Sequence, residues 1–274
     1  MKVFNATLND EGRTLFKFLV KSFPDVPKGK LESVFRKKDV KVNGKRLKDK
    51  RYIVKHGDEI VVYGVSSTGY STKNIFTKIK FNIIFEDKNI LVIDKPHGYP
   101  VHDAENSIDN QVLTYLKFMQ KDSFKPSHIG RLDKVTSGLM VYGKTYEAVK
   151  ELNKYSSNFE KVYEFKSDLN RSITTEYKIG HNEAKKKEEV MEEGKVTKTE
   201  FIIVGKHKFA KLYTGRKHQI RVSLSKLGYP IYGDYKYGGK KADRVYLHSA
   251  QLKFQGIKGK LEYLNNQEFL SNPK

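Results

Sequence analysis

The chain has 274 residues, 38% hydrophobic and 31% charged, with 17 Tyr, 16 Phe and no Trp, which is the length of about two domains and the composition of a globular protein. The absence of cysteine excludes disulfides, thiolate catalysis, cysteine-ligated zinc and iron–sulfur clusters. No apolar run approaches the roughly 18 residues of a membrane helix, and the opening MKVFNATLNDEGRT holds no secretory apolar core, so a cytoplasmic protein with no membrane association is expected. The net charge of +21 points to a polyanionic partner, nucleic acid before others, with a general surplus of surface lysine as the plainer alternative.

Residues 1–63 read as one small unit. Leu15, Phe18, Leu19 and Phe23 have helical spacing in 15–23, and Leu31, Val34 and Phe35 share a face of a second helix over 30–38. DVKVNGKRL (39–47) alternates and turns at Asn43-Gly44, a hairpin signal. HGDEIVVYG (56–64) supplies a further strand. Basic residues crowd the second helix and the hairpin: Arg36, Lys37, Lys38, Lys41, Lys45 and Arg46. The helix pair, then V-x-V-N-G-K, then G-D-x-I resembles the S4 RNA-binding domain, carried by Arg13, Leu15, Leu19, Leu31, Val40, Val42, Asn43, Gly44, Lys45, Gly57, Asp58 and Ile60. A basic helix beside a basic turn suits RNA phosphates and helix shape more than base readout. On this resemblance Arg13, Arg36, Lys37, Lys38, Lys41, Asn43 and Lys45 are candidate RNA contacts.

Residues 64–75, small and polar, read as a linker, and 76–274 as a second domain. Two apolar runs in 82–96 form a hairpin. Residues 110–121 and 145–157 have helical periodicity; 138–144, 161–169, 196–205, 208–214 and 244–254 read as strands, and 216–228 as a helix closed by Gly228. Many strands with few helices argue an α+β fold with a mainly antiparallel or mixed sheet. The charged 181–198 segment reads as a solvated hairpin or a mobile insert.

Three segments stand apart from scaffold. In SHIGRLDKVTSGL, Asp133 sits on a loop before an apolar strand; spacing alone leaves a reactive carboxylate and a turn-capping one equally open. In LYTGRKHQIRVSL, with GYPIYGD after it, Arg216, Lys217 and Arg221 place cations at a helix start, which is either an anion site or ordinary surface charge. In RVYLHSAQLKF, His248 reads as a satisfied sheet histidine.

Taken in order, GRLDKVTSGL, TGRKHQIRVSL with GYPIYGD, and LHSAQLKF resemble the RluA-type pseudouridine synthases, and the S4-like unit in front resembles the members that act on large-subunit ribosomal RNA. The resemblance implies a cofactor-free isomerase that breaks the uridine N1–C1′ bond and rejoins the base through C5, with structured RNA as partner. Independently of it, a monomer is expected. The resemblance places Asp133 on the family's essential aspartate, as nucleophile at C1′ or base at C2′. It places Arg221 on that aspartate's ion-pair partner and Tyr163 on the active-site tyrosine, whose ring stacks on uracil and whose hydroxyl takes the C5 proton. Arg131 falls on the arginine that supports the flipped nucleotide. Arg216, from the cationic helix start, is a further expected RNA contact. His128, displaced from the arginine by Ile129 and Gly130, inherits no role.

Overall fold

The computed structural model describes residues 1–66 and 76–273, so 67–75 of the expected linker lie outside the described residues. Two compact units are present: the first comprises the described residues of 1–76 with 113–126 and 144–147, the second the rest.

The first unit contains β1 (Lys2–Asn5), α1 (Leu15–Ser22), α2 (Lys28–Arg36), β2 (Val40–Val42), β3 (Lys45–Arg46) and β4 (Glu59–Val62). Thr14 caps α1 by accepting from the Lys17 N–H, and Leu15, Phe18 and Leu19 bury its apolar face. Phe4 packs edge-on against Phe18 and Phe23, centroids 5.6 and 5.4 Å away. The four strands pair antiparallel in the order β1-β4-β2-β3. Asn43 (φ 51°) and Gly44 (φ 77°) turn the hairpin in the left-handed conformation that Asn-Gly favours. Strand β1, four residues long, is too short to announce itself by periodicity. Within this unit the Asp122 carboxylate accepts from Thr7 Oγ1 (2.9 Å) and Asn9 Nδ2 (3.1 Å), and Asp10 accepts from the Ser123 N–H (3.0 Å).

The remaining elements are β5 (Asn82–Glu86), β6 (Ile90–Lys95), α3 (Ile108–Tyr115), β7 (Ser127–Ile129), β8 (Ser137–Gly143), α4 (Tyr146–Tyr155), β9 (Glu160–Phe165), β10 (Ile173–Asn182), β11 (Lys187–Val190), β12 (Lys195–Val204), β13 (His207–Leu212), α5 (Gln219–Lys226), β14 (Leu247–Lys253) and β15 (Glu268–Leu270). The large sheet runs β11-β10-β12-β13-β9-β14-β8-β6-β5, with β15 on β14 and β7 on β8. Among its described pairings only β14 with β8 is parallel, which gives the α+β, mainly antiparallel architecture that the sequence predicts.

Three local expectations change. The helix over 110–121 is the shorter Ile108–Tyr115, with Lys117 in the left-handed region (φ 47°) just beyond it. The helix over 216–228 begins only at Gln219, because His218 has φ 55°. Of the two readings of 181–198 the hairpin is the one found, as the end of β10, β11 and the start of β12, and it is less solvated than expected, with Glu188 and Thr197 buried.

The centre of the sheet sets the positions that matter later. Antiparallel pairing puts Ser249 of β14 opposite Tyr163 of β9, and parallel pairing puts the same Ser249 opposite Gly138 of β8. Gly138 has φ 109°, and a Cβ there would lie 2.3 Å from the Ser249 carbonyl oxygen. Any side chain would push β8 and β14 apart at the loop that carries Asp133. Behind α5, Ile220 and Leu224 pack on Phe165, Phe201 and Leu247; each buried aliphatic of this kind contributes about 1.5–3 kcal/mol.

Lys95, at the end of β6, has no exposed surface. Its amine donates to the carbonyls of Thr136 (2.7 Å), Pro96 (3.0 Å) and Lys134 (3.3 Å), tying the strand end to the turn after Asp133. The same turn is closed by the Thr136 N–H on the Asp133 carbonyl (3.0 Å). Burial brings the Lys95 amine down to about 8, against the opposing pull of Asp133 and Asp94.

Gly138→Ala is expected to lower stability by about 2–4 kcal/mol in urea unfolding, through both φ strain and the clash; a loss within experimental error would contradict this packing. The unfolded chain binds more protons than the folded chain between the folded Lys95 value of about 8 and its ordinary 10.5. Stability from this group therefore rises with pH across that window. The native chain should gain stability relative to Lys95→Met between those pH values, as read by denaturant unfolding at each pH; a flat difference would contradict the buried amine.

Candidate active site

A cavity of about 510 Å³ opens between the Asp133 loop, β9 and the segment leading into α5, and its lining includes Arg131, Asp133, Tyr163, Arg216, His218 and Arg221. Sheet pairing explains much of this convergence. β8 carries the loop at its start, β14 lies between β8 and β9, and α5 packs across β9 and β12 through its apolar face.

The centre is an arginine held between two carboxylates. Arg221, 6% exposed, donates Nε and Nη2 to Asp234 Oδ2 and Oδ1 at 2.7 and 2.8 Å. Its Nη1 donates to Asp133 Oδ2 at 2.9 Å. Burial works against the guanidinium charge, but the bonds to Asp234 and Asp133 outweigh it and hold the group above its ordinary value. Tyr237 faces the guanidinium from 5.0 Å. Asp133 Oδ2 also lies 3.5 Å from His218 Nε2. Among the described residues, Asp133 Oδ1 has no hydrogen-bond donor, so the carboxylate is gripped by one oxygen and leaves the other available.

The lead into α5 explains why each residue of HQIR is of its type. His218 turns the chain in the left-handed conformation. Gln219 uses its whole amide: Oε1 accepts from Thr214 Oγ1 (2.9 Å) and the Arg216 N–H (3.0 Å), while Nε2 donates to Thr199 Oγ1 (2.9 Å) and the Lys198 carbonyl (3.1 Å). Ile220 enters the core and Arg221, one position on, faces Asp133. The expectation of cations at the helix N-terminus is corrected. Arg216 and Lys217 precede the helix; Lys217 pairs with Glu188 (2.8 Å), Arg221 is consumed by carboxylates, and Arg216 stays exposed on the cavity wall.

Tyr163 reaches the same cavity from β9, paired with Ser249 on the neighbouring strand; burial pushes the phenol up to about 12. Arg131 is exposed at the rim and contacts His102 Nε2 at 3.1 Å. His102 in turn pairs with Asp103 and stacks against His128. His128 bonds Asp109 (3.0 Å), which also accepts from Tyr142 (2.7 Å). His248 is buried between Ser137 and Ser271, the satisfied sheet histidine that its alternation predicts.

In the first unit Arg36, Lys37, Lys38 and Lys45 are exposed and Lys41 half-exposed. Two expected RNA contacts are corrected. Arg13 is 7% exposed, its guanidinium 3.9 Å over the Tyr146 ring and its Nε donating to the Asn9 carbonyl. The Asn43 amide is spent on Asp58 Oδ1 (2.8 Å) and the Glu59 N–H (2.9 Å), which makes it a turn brace. Sequence reasoning missed Lys95, Asp234 and His218. A lysine ending a buried apolar strand was the available signal for the first; nothing local marks Asp234, the last residue of GYPIYGD.

The RNA pseudouridylate synthase family matches residues 89–226, and the S4 domain family matches 13–60. An uncharacterized RNA pseudouridine synthase of Mycoplasma capricolum is 33% identical over 299 aligned residues, spanning 100% of this chain and 98% of that protein. Ribosomal large subunit pseudouridine synthase D of Pseudomonas aeruginosa is 32% identical, across 84% of this chain and 75% of its own. The structure of human RNA pseudouridylate synthase domain containing 1 shares the fold, with a TM-score of 0.59 at 20% identity over 71% of this chain and 84% of that one. Full-length similarity of this kind, around a site built on an aspartate–arginine pair, makes the chain a member of the RNA pseudouridine synthase family, an RNA isomerase with an S4 domain at its N-terminus.

Proposed function

We propose that the chain converts uridine to pseudouridine in large-subunit ribosomal RNA, with residues 76–274 performing the chemistry and 1–63 adding affinity. The observation that carries the reading is the Asp133 carboxylate, anchored through Oδ2 by Arg221 at 2.9 Å on the wall of a nucleotide-sized cavity. The name of the Pseudomonas relative supports the ribosomal substrate. RNA of that kind places the protein in the cytoplasm, and the chemistry calls for no cofactor.

The reaction breaks N1–C1′, forms C5–C1′, and moves the C5 proton away while N1 gains one. Asp133 serves the first step through Oδ1, either by attacking C1′ or by taking the C2′ proton. Arg221 keeps that carboxylate ionised and aimed. Once C5 has bonded to C1′, displacing the carboxylate from C1′ on the first route or after its proton has returned to C2′ on the second, the carboxylate is free again and can accept the C5 proton. A phenol held at about 12 keeps its own proton at neutral pH, so Tyr163 acts as the wall on which uracil stacks rather than as a resting base. Arg131, exposed at the rim, and Arg216, exposed on the wall, are placed to meet the flipped nucleotide and its phosphates. Arg36, Lys37, Lys38, Lys41 and Lys45 are the S4-domain cations that track the RNA backbone.

The purified chain should release tritium from large-subunit ribosomal RNA transcripts labelled at uracil C5. Asp133→Asn should release none while its RNA affinity stays within about threefold of native, since the carboxylate adds no attraction for phosphates. Affinity falling in step with activity would overturn the assignment of Asp133. Replacing Arg36, Lys37 and Lys38 by Gln should weaken RNA binding and reduce the slope of log K against log salt by about 2–3; an unchanged slope would take this helix end off the RNA surface.

A further inference from the structure

The reading above uses Asp133, Arg221 and Tyr163 and leaves unexplained a second buried side chain aimed at the same carboxylate. His218 is 10% exposed and brings Nε2 to 3.5 Å from Asp133 Oδ2. What decides the role of such a ring is which nitrogen carries the proton. Two neighbouring contacts answer that. The Asp133 carboxylate can only accept, so Nε2, the nitrogen that faces it, is the donor. The Tyr237 hydroxyl lies 2.7 Å from His218 Nδ1 and has a proton to give it. Nδ1 therefore accepts, and the ring proton sits on Nε2, facing Asp133.

We propose that His218 is a positioning residue for Asp133, fixed in its donating tautomer by Tyr237 and, through Tyr237, by the β10–β11 hairpin. The proposal rests on the reading of Asp133 as the reacting group. The groups facing the imidazole are Asp133 from the loop before β8, Arg221 and Lys217 around the start of α5, and Lys236 with Tyr237 on the turn after it. Burial and the three cations hold the imidazole down at about 4 despite Asp133, so it is a neutral single donor near pH 7. At 3.5 Å the contact is longer than an ordinary hydrogen bond, a gap of the kind that closes when substrate fills a catalytic site. Arg221 and His218 both address Oδ2, which leaves Oδ1 for the nucleotide.

This gives the charged hairpin a task. Its Glu188 carboxylate, 9% exposed, accepts from Lys217 (2.8 Å) and bonds His181 (2.9 Å), so β11 is pinned against the segment leading into α5. Ile179 of β10 and Val190 of β11 pack in one apolar cluster with Tyr237, so the hairpin holds that hydroxyl in place from outside the cavity.

Two measurements on the full chain test this. With histidine labelled by nitrogen-15, NMR should report His218 as the neutral Nε2–H tautomer at pH 7, and as a mixture in Tyr237→Phe. A native Nδ1–H tautomer, or no change in that variant, would overturn the hydrogen-bond chain. In single-turnover tritium release, His218→Ala should slow the reaction at least tenfold with RNA affinity changed less than twofold. His218→Gln, whose amide can reach the place of Nε2, should recover part of the rate. Native rates in His218→Ala would overturn the positioning role, as would equal losses in both variants accompanied by a lowered melting temperature. A native chain that releases no tritium would defeat the synthase reading and the positioning role with it, while the NMR result, which needs no RNA, still decides the tautomer.

Discussion

A single guanidinium shared between two carboxylates organises the site. Asp234 takes the side of the fork made by Nε and Nη2, and only Nη1 remains to point at Asp133. The planar fork is what makes this division possible; a lysine ammonium could balance the charge but could not fix a direction. Each carboxylate arrives from a different part of the chain, Asp133 from the loop before β8 and Asp234 from the turn after α5, so the ion cluster also joins separate pieces of fold. Removing one partner from a buried pair of this kind costs about 3–5 kcal/mol, and substitutions here will mix losses of stability with losses of chemistry.

The supports around that cluster are layered in a consistent way. Beneath the Asp133 loop, Lys95 collects three carbonyls that face away from water. Beside it, Gly138 lets β8 and β14 approach to a distance that no side chain would permit. At the first residue of α5, Gln219 satisfies four hydrogen-bonding groups with one amide. Each device fixes backbone rather than substrate. The reactive carboxylate then needs no strain of its own, because the backbone on both sides of it is already fixed.

How much of this could be read beforehand depended on whether the signal was local. Helices α1 and α2 and the Asn43-Gly44 hairpin were legible because spacing and turn chemistry are written in consecutive residues. The site residues Asp133, Arg221 and Tyr163 were legible only through motif resemblance; nothing in their spacing alone separates a buried ion pair from surface charge. Asp234 and Lys95 were hidden because their partners lie 13 and 39–41 positions away, and His218 because its role comes from a backbone conformation that histidine rarely adopts. Arg13 and Asn43 went the other way. Their residue types suit RNA, but an aromatic ring and an aspartate inside the fold claim them first.

The large sheet is open, and its two outer strands end it by different means. On one side β5 carries an irregularity between Ile83 and Phe85, which spoils the straight ladder another strand would need. On the other side β11 is only four residues long, opens with Lys187 and follows Lys185, both paired to Glu189. A short edge strand bearing lysines makes a poor template for a further strand. The edge that braces the active site is thereby also the edge that protects the chain from sheet-to-sheet self-association, so a loss of β11 order would show itself as aggregation as well as as slow chemistry.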